Sequence, residues 1–182
     1  MIQVNDNFLP KDVFAYLQEY CEQPFQIMKV GDKEFSVLQT PMELLHYLQI
    51  PEHELILTFI RSAYNGFDEE PRIHADNIIN GEKTALASVI YINNTQNVTP
   101  NGTCFYKHSK YGPELPNNVT NEEFDELITK DSNDLSKWIR IGAIDAKPNR
   151  RLLYNSNCFH AKFPAKIEQG TRIVLVCFYK KK

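Results

Sequence analysis

The sequence lacks a long apolar run and an excess of positive charge. Its longest apolar stretch, residues 173–179, is far shorter than the roughly 20 residues that a membrane-spanning helix requires. The chain has 20 lysines and arginines against 23 acidic residues, and its formal net charge is -3. This balance provides no broad basic surface for nucleic acid or for an anionic membrane. We therefore expect a protein that binds neither a membrane nor nucleic acid.

Cysteine pairs at metal-binding or redox spacing are also missing. The four cysteines lie far apart and form no C-x-x-C pair, so zinc ribbons and dithiol redox motifs have no support. The first residues contain neither a basic stretch nor an apolar segment of the secretory type. From these two absences we expect a cytoplasmic protein whose thiols are reduced.

Length and composition are typical of one folded unit. The chain has 182 residues, of which 42% are hydrophobic and 24% charged, and these proportions exclude disorder and collagen-like repeats. Neither an internal repeat nor a low-complexity segment indicates a second domain. We predict one domain over residues 1–182, in which residues 1–53 provide helices and strands that support a β-rich core at residues 54–182.

The supporting segment contains two helical patterns and two short strand patterns. Apolar residues recur at helical spacing between Pro10 and Cys21, and Pro10 is tolerated in the first turn of a helix. Residues 25–30 and 35–38 are typical of short strands. A second helix is predicted over residues 40–51 from a Thr-Pro start and apolar spacing.

The remaining chain alternates short β-rich runs with turn residues. Eight such runs lie at residues 55–60, 72–76, 85–92, 103–107, 138–144, 151–154, 158–163 and 172–179. Short strands with this turn punctuation favour a β-sandwich or jelly roll. One insertion, at about residues 109–137, interrupts the series and contains a capped helix that begins at Thr120. The acidic run at residues 68–70 is expected on a solvated face.

Two histidines and a carboxylate occur in a pattern typical of a metal site. His74 and Asp76 are two residues apart in a β-rich run, and such residues project to the same face of a strand. His160 lies on another predicted strand, and Arg172 begins the next one after a turn. Two imidazoles and one carboxylate form the facial triad of non-haem iron oxygenases, and arginine suits the remote carboxylate of a 2-oxo acid. Each element alone also occurs in ordinary structural positions, but the ordered set predicts a metal site.

Residues 55–179 resemble the Fe(II)/2-oxoglutarate-dependent dioxygenases, in particular the prolyl 4-hydroxylase-like branch. The resemblance rests mainly on six residues, which are His74, Asp76, His160, Arg172, Tyr64 and Tyr91. It implies a mainly β (α+β) fold with a double-stranded β-helix core, of the jelly-roll or cupin-like type, and N-terminal supporting helices. It further implies that the His74, Asp76 and His160 triad binds Fe(II) and is catalytic. Arg172 is then expected to bind the C5 carboxylate of 2-oxoglutarate, and Tyr64 and Tyr91 to contact the same co-substrate.

The resemblance also implies an enzyme, a hydroxylase that consumes O2 and converts 2-oxoglutarate to succinate. Ascorbate is left open as a further cofactor. The branch favours a prolyl or other peptidyl side chain as the substrate. A free amino acid or another small molecule is the alternative, and a non-catalytic jelly-roll binding protein is the rival from another class. We expect the loops at residues 65–70 and 93–101, together with the insertion, to shape the substrate site.

Overall fold

The structure, a computed structural model, describes residues 1–31, 33–93 and 101–182. In these ranges the α-helices are α1 (Lys11–Tyr20) and α2 (Asn121–Glu126). The strands are β1 (Ile2–Asn5), β2 (Gln26–Val30), β3 (Lys33–Gln39), β4 (His53–Tyr64), β5 (Ile78–Ile79), β6 (Glu82–Lys83), β7 (Leu86–Tyr91), β8 (Gly102–His108), β9 (Trp138–Asp145), β10 (Arg150–Asn155), β11 (His160–Phe163) and β12 (Thr171–Lys181).

Two antiparallel sheets form the body of the fold. The larger has seven strands in the order β1-β10-β7-β12-β4-β3-β2, and the smaller has three in the order β11-β8-β9. An isolated bridge between His74 and His160 adds one more stretch of chain beside β11. The prediction of a mainly β jelly-roll architecture is therefore confirmed.

Alternation along the strands builds the core between the sheets. On β7, Val89 and Tyr91 pack into the cluster that also contains Phe105 of the smaller sheet, whereas Leu86 and Ile90 pack on the opposite face. Strands β10 and β12 alternate in the same way. Since side chains in a strand alternate between faces, every second residue of these strands points into the space between the two sheets.

The outer face of the larger sheet is covered by α1 and by the segment after β3. Leu17 of α1 is fully buried there, together with Leu44 and Leu48. The same N-terminal part also contributes strands to the larger sheet. Strand β1 pairs with β10 at one edge, and β3 pairs with β4 towards the other edge. The predicted first helix and the two predicted strands are confirmed, while β1 was not expected from the sequence.

The helix predicted over residues 40–51 is wrong. The segment contains one turn of 3-10 helix, Met42–Leu44, and continues in turns. The expected cap residue, Thr40, instead shares a hydrogen bond of 3.0 Å with the Thr58 hydroxyl of β4. The apolar residues that suggested a helix, such as Leu44 and Leu48, are buried against the sheet although the segment forms no regular helix.

The strand predicted over residues 72–76 is also wrong in its extent. Arg72 has a φ of 46°, which is outside the extended region, so the chain cannot run on as a strand. Only His74 makes a β-bridge, to His160. The His-x-Asp pair is therefore held by a short connecting segment and not by a full strand.

The chain between β8 and β9 packs on the smaller sheet. Its helix α2 begins with the predicted cap, since Thr120 accepts a hydrogen bond from the Glu123 amide and the Glu123 carboxylate accepts one from the Thr120 amide. A π-helical turn, Leu127–Asp131, follows. Leu127 is buried against Trp138 and Phe159. No helix in the described ranges is long and apolar enough to cross a membrane.

Candidate metal centre and co-substrate pocket

The His74 segment is held in place by backbone hydrogen bonds on two sides. His74 and His160 exchange amide-to-carbonyl bonds of 3.0 and 2.9 Å, which places the two side chains next to each other. The Asp76 amide donates to the Ser156 carbonyl at 2.7 Å, and the residue before His74 donates to the Ser132 carbonyl at 2.9 Å. The chain around the two residues is thus fixed from β11 and from the end of the insertion.

Three potential metal ligands converge at this point. The Nε2 atom of His74 lies 3.4 Å from Oδ1 of Asp76, and the Nε2 atom of His160 lies 3.3 Å from Oδ2 of the same carboxylate. One ligand atom from each of the three side chains lies within 4.8 Å of the others. The structure therefore brings together the three residues that the sequence singled out, although no strand carries the first two.

The histidine rings are oriented so that their Nε2 atoms face the carboxylate. The Nδ1 atom of His74 is 2.6 Å from the Arg72 carbonyl oxygen, and the Nδ1 atom of His160 is 3.0 Å from the Cys158 carbonyl oxygen. A carbonyl only accepts hydrogen bonds, so each Nδ1 carries the proton and each Nε2 offers a lone pair. This is the orientation that backbone acceptors impose on metal-binding histidines.

The protonation states also suit a cation. Burial lowers the pKa of His160 to about 4, so its imidazole is neutral at pH 7. Burial raises the pKa of Asp76, but the neighbouring histidines and the Tyr154 hydroxyl outweigh it, and the pKa lies below its ordinary value. The group is thus a carboxylate beside the neutral imidazole of His160, with the Nε2 atom of His74 also facing it, which is a set of donors for a divalent metal ion.

Tyr154 is a member of the site that the sequence analysis missed. Its hydroxyl lies 2.9 Å from Nε2 of His160 and 3.4 Å from Oδ2 of Asp76. The side chain is buried between the sheets on β10. Tyr154 and Leu152 are two residues apart on the strand before His160, so both face inward. This spacing was the signal available in the sequence.

Arg172 enters the same space from the start of β12. Its alternate neighbours Val174, Val176 and Phe178 line the cavity with it. The Nε atom is buried and has no hydrogen-bond partner in the described part of the chain, and the Nη2 atom makes one long bond of 3.4 Å to the Gly102 carbonyl. Among the described residues, none offers this guanidinium a carboxylate within 4.0 Å. Burial lowers the pKa of Arg172, yet arginine stays charged in proteins, so a cation without an anionic partner faces the cavity.

The backbone at Gly102 allows this approach. Gly102 has a φ of 143°, and a Cβ atom there would collide with the backbone of Ile144 on the neighbouring strand β9 and of Ala146 just after it. Only glycine fits where β8 passes so close to β9. The position of the Gly102 carbonyl, which accepts the hydrogen bond from Arg172, therefore depends on having glycine at residue 102.

The two predicted tyrosines occupy different environments. Tyr91 is fully buried, and its ring centroid lies 5.8 Å from the Arg172 guanidinium carbon, while its hydroxyl donates to the Thr103 hydroxyl at 2.8 Å. Tyr64, at the end of β4, is 36% exposed and stacks on Phe67 with ring centroids 5.0 Å apart. The structure places Tyr91 beside Arg172, but neither Tyr91 nor Tyr64 is among the residues that line the cavity.

A cavity of about 470 Å³ connects the metal-ligand cluster to Arg172. Its walls are mostly apolar and come from both sheets, and Thr103 lies near its inner end. Ile128 and Ser132 show that the insertion contributes to the lining. Residues 94–100 of the loop predicted at 93–101 lie outside the described part of the chain. A volume of this size is ordinary for a small-molecule site.

Of the acidic run at residues 68–70, Glu70 is exposed as expected, but Asp68 and Glu69 are not part of a solvated face. The Asp68 side chain is fully buried and pairs with Arg61, Arg72 and Lys162. The Glu69 carboxylate accepts a hydrogen bond of 3.1 Å from the Ile167 amide. Cations from three separate segments overcome the cost of burying the Asp68 carboxylate, and these partners could not be recognised from the local acidic run.

Comparison with solved structures shows which fold this is. The non-heme α-ketoglutarate-dependent carbocyclase SnoK from nogalamycin biosynthesis matches with a TM-score of 0.66 at 12% identity, over 99% of this chain and 79% of SnoK. HygX from Streptomyces hygroscopicus, with nickel and 2-oxoglutarate bound, matches with a TM-score of 0.62 at 12% identity, over 100% of this chain and 83% of HygX. The viral collagen prolyl hydroxylase of Paramecium Bursaria Chlorella virus-1, in its 2-oxoglutarate complex, matches with a TM-score of 0.58 at 9% identity, over 100% and 96%.

These identities establish a shared fold and not a shared activity. The predicted double-stranded β-helix is thereby confirmed, and the chain has the fold of the Fe/2-oxoglutarate-dependent oxygenases. No curated protein matches the chain in sequence. A sequence model of one family, a family of unknown function (DUF6445), matches residues 70–173, which include the metal-ligand cluster and Arg172. This match spans more than half of the chain, which therefore belongs to the DUF6445 family.

Proposed function

We propose that this protein is an Fe(II)- and 2-oxoglutarate-dependent oxygenase that hydroxylates an organic substrate and releases succinate and CO2. Residues 1–182 act in this proposal as one oxygenase domain. The observation that carries it is a single cavity that joins two imidazoles and a carboxylate to a buried guanidinium without an anionic partner. The shared fold of known 2-oxoglutarate oxygenases supports the same assignment.

The donor set fits the metal. His74 and His160 would contribute neutral Nε2 atoms, and Asp76 would contribute a carboxylate oxygen, which is the set that non-haem iron enzymes use. Iron bound by these three residues, together with 2-oxoglutarate, would supply the activation of dioxygen that a protein side chain cannot provide. The carbonyls that accept from the two Nδ1 atoms keep both imidazoles in the tautomer required for binding.

Arg172 is the residue that orients the co-substrate. Its planar guanidinium can form two parallel hydrogen bonds with the C5 carboxylate of 2-oxoglutarate. That contact would give the Nε atom the partner that it lacks and would neutralise a desolvated cation. Thr103 lines the same cavity, and Tyr91 supports it from behind by donating a hydrogen bond to the Thr103 hydroxyl beside the guanidinium.

The remaining walls of the cavity exclude water from the reacting centre. Val89, Val174, Val176 and Phe178 line the space between the metal-ligand cluster and the larger sheet. An apolar lining strengthens the electrostatic contacts of both charged groups of the co-substrate, because water cannot screen them.

For the substrate, we propose a prolyl or other peptidyl side chain, on the basis of the resemblance to the prolyl 4-hydroxylase-like branch. The fold of the viral collagen prolyl hydroxylase is consistent with this choice. A free amino acid or other small molecule is the second candidate, and it is favoured by a cavity volume of about 470 Å³.

The test is a turnover measurement. The purified protein is supplied with Fe(II), 2-oxoglutarate, ascorbate and air, and succinate is quantified with and without a lysate of peptides and metabolites. We expect slow succinate formation alone, faster formation with the lysate, and a product that is heavier by one oxygen atom. Asp76→Asn should abolish succinate formation, whereas Asp125→Asn, an exposed substitution on α2, should not. A wild-type protein that forms no succinate under any of these conditions would favour the non-catalytic binding protein.

A further inference from the structure

The mouth of the cavity is strongly basic. Lys33 on β3, Arg61 on β4, Arg72 and Lys162 on β11 all line the cavity that contains the metal-ligand cluster. Asp76 is the only carboxylate among the described residues that line the cavity, and it belongs to the metal-ligand cluster. Arg172 is a fifth cation of the lining, and it lies close enough to Arg61 and Lys162 for their charges to interact.

One buried carboxylate organises three of the four cations. Asp68 accepts from Nε of Arg61 at 2.9 Å, from Nη1 of Arg72 at 3.3 Å and from Nζ of Lys162 at 3.4 Å. The exposed Glu70 carboxylate accepts from Nε of Arg72 at 2.8 Å. Two carboxylates therefore face four cations, and the cluster at the mouth retains an excess of positive charge.

The cations are held in fixed positions before any ligand binds. The guanidinium carbons of Arg61 and Arg72 lie 4.6 and 5.6 Å from the centroid of the Phe35 ring, so one aromatic side chain supports both groups. Lys162 donates to the Glu70 carbonyl oxygen at 2.9 Å. Its side chain is only 9% exposed.

We infer that the substrate carries an oxyanion, a carboxylate or a phosphate, which Arg61, Arg72 and Lys162 bind at the mouth of the cavity. Guanidinium groups bind such anions in a planar, bidentate manner, and a preorganised set loses little side-chain entropy on binding. Arg172 is then left for 2-oxoglutarate, so the cavity binds two anions at adjacent cationic groups. Only the identification of the bound anion as the substrate rests on the proposed function. The anion site itself can be tested by binding.

The experiment compares three capped amino acids (N-acetyl, C-amide) that differ in charge. Capped glutamate carries a carboxylate, capped phosphoserine a phosphate, and capped glutamine neither. Binding is measured by titration calorimetry, without oxygen, to protein saturated with Fe(II) and 2-oxoglutarate. We expect at least one of the anionic ligands to bind about tenfold more tightly than capped glutamine, and the tighter of the two identifies the anion.

Variants decide which residues are responsible. Arg72→Gln leaves Asp68 with two cations and should reduce the preference for the anionic ligand about fivefold, while the Kd of 2-oxoglutarate changes less than twofold. Arg140→Gln, an exposed arginine on β9 outside the cavity lining, is the matched control and should keep the full preference. Equal binding of all three ligands, or a preference that survives Arg72→Gln, would overturn the inference.

The two proposals fail in different ways. An anionic ligand that binds only by displacing 2-oxoglutarate would use the Arg172 end and would contradict the mouth site. If the protein takes up neither Fe(II) nor 2-oxoglutarate, the proposed function fails, and the same three ligands are then compared on the metal-free protein. A charge preference that depends on Arg72 supports the anion site in that case too, and its absence refutes it.

Discussion

Replacing Arg172 with methionine should separate the binding of 2-oxoglutarate from the stability of the fold. Methionine has a similar volume and no charge, and Val174 and Val176 next to it on the same face are apolar. Within residues 1–31, 33–93 and 101–182 the guanidinium makes one long hydrogen bond, to the Gly102 carbonyl. Substituting an apolar side chain for a buried cation without an anionic partner is neutral or stabilising. We therefore expect the free energy of unfolding of the metal-free protein to stay the same or to rise by about 1 kcal/mol.

The effect on the co-substrate should be large. A bidentate contact with the C5 carboxylate comprises two charge-assisted hydrogen bonds, and at the lower limit of roughly 1.5 kcal/mol each their loss costs about 3 kcal/mol. That corresponds to about a hundredfold increase in the Kd of 2-oxoglutarate. Uptake of Fe(II) should be unchanged, because the guanidinium is not one of the converging ligands.

Calorimetric titration of 2-oxoglutarate into the Fe(II)-loaded protein without oxygen gives the Kd, and urea unfolding gives the stability. Arg140→Met, an exposed change on β9, is the control for loss of a positive charge. The reasoning is refuted by an unchanged Kd in Arg172→Met. A loss of several kcal/mol of stability would show instead that Arg172 is a structural residue.

Three further predictions concern the same site. Burial lowers the pKa of His160 from 6.5 to about 4, so the unfolded chain binds more protons than the folded chain between these pH values. The free energy of unfolding of the metal-free protein should therefore fall by about 3 kcal/mol as the pH drops through this window. In urea titrations, His160→Gln should remove this pH dependence. Gly102→Ala should destabilise the fold by roughly 1–3 kcal/mol and weaken 2-oxoglutarate binding, and an unaltered melting temperature would contradict the close packing of β8 on β9. Tyr91→Phe should raise the Kd of 2-oxoglutarate severalfold, whereas Tyr64→Phe should leave it unchanged, and equal effects in calorimetry would contradict the placement of the two rings.

The sequence allowed much of the fold and the outline of the site to be predicted because both depend on local patterns. Alternation along β7, β10 and β12 is visible in the residues themselves, and so is the spacing of His74 and Asp76. The same reasoning placed this pair on a strand. It could not anticipate the positive φ of Arg72, which depends on bonds from the insertion such as the one from the Arg72 amide to the Asn133 side chain.

Contacts between distant segments account for the rest. Tyr154 reaches Asp76 and His160 only because β10 places it opposite the smaller sheet, and its strand reads as ordinary core. Asp68 lies in a run of three acidic residues, and its burial depends on cations that come from β4, from β11 and from the His74 segment. Long-range charge pairing of this kind leaves no periodic pattern in the sequence.

The central claim is that His74, Asp76 and His160 bind one divalent metal ion to which 2-oxoglutarate is added. Titration of Fe(II) into the protein with 2-oxoglutarate under strict exclusion of oxygen tests it most directly, by visible absorption. The account predicts a charge-transfer band that saturates at one iron per chain, is absent without 2-oxoglutarate, and is lost in Asp76→Asn. A wild-type protein that shows no band, or a band that persists undiminished in Asp76→Asn, would contradict the account.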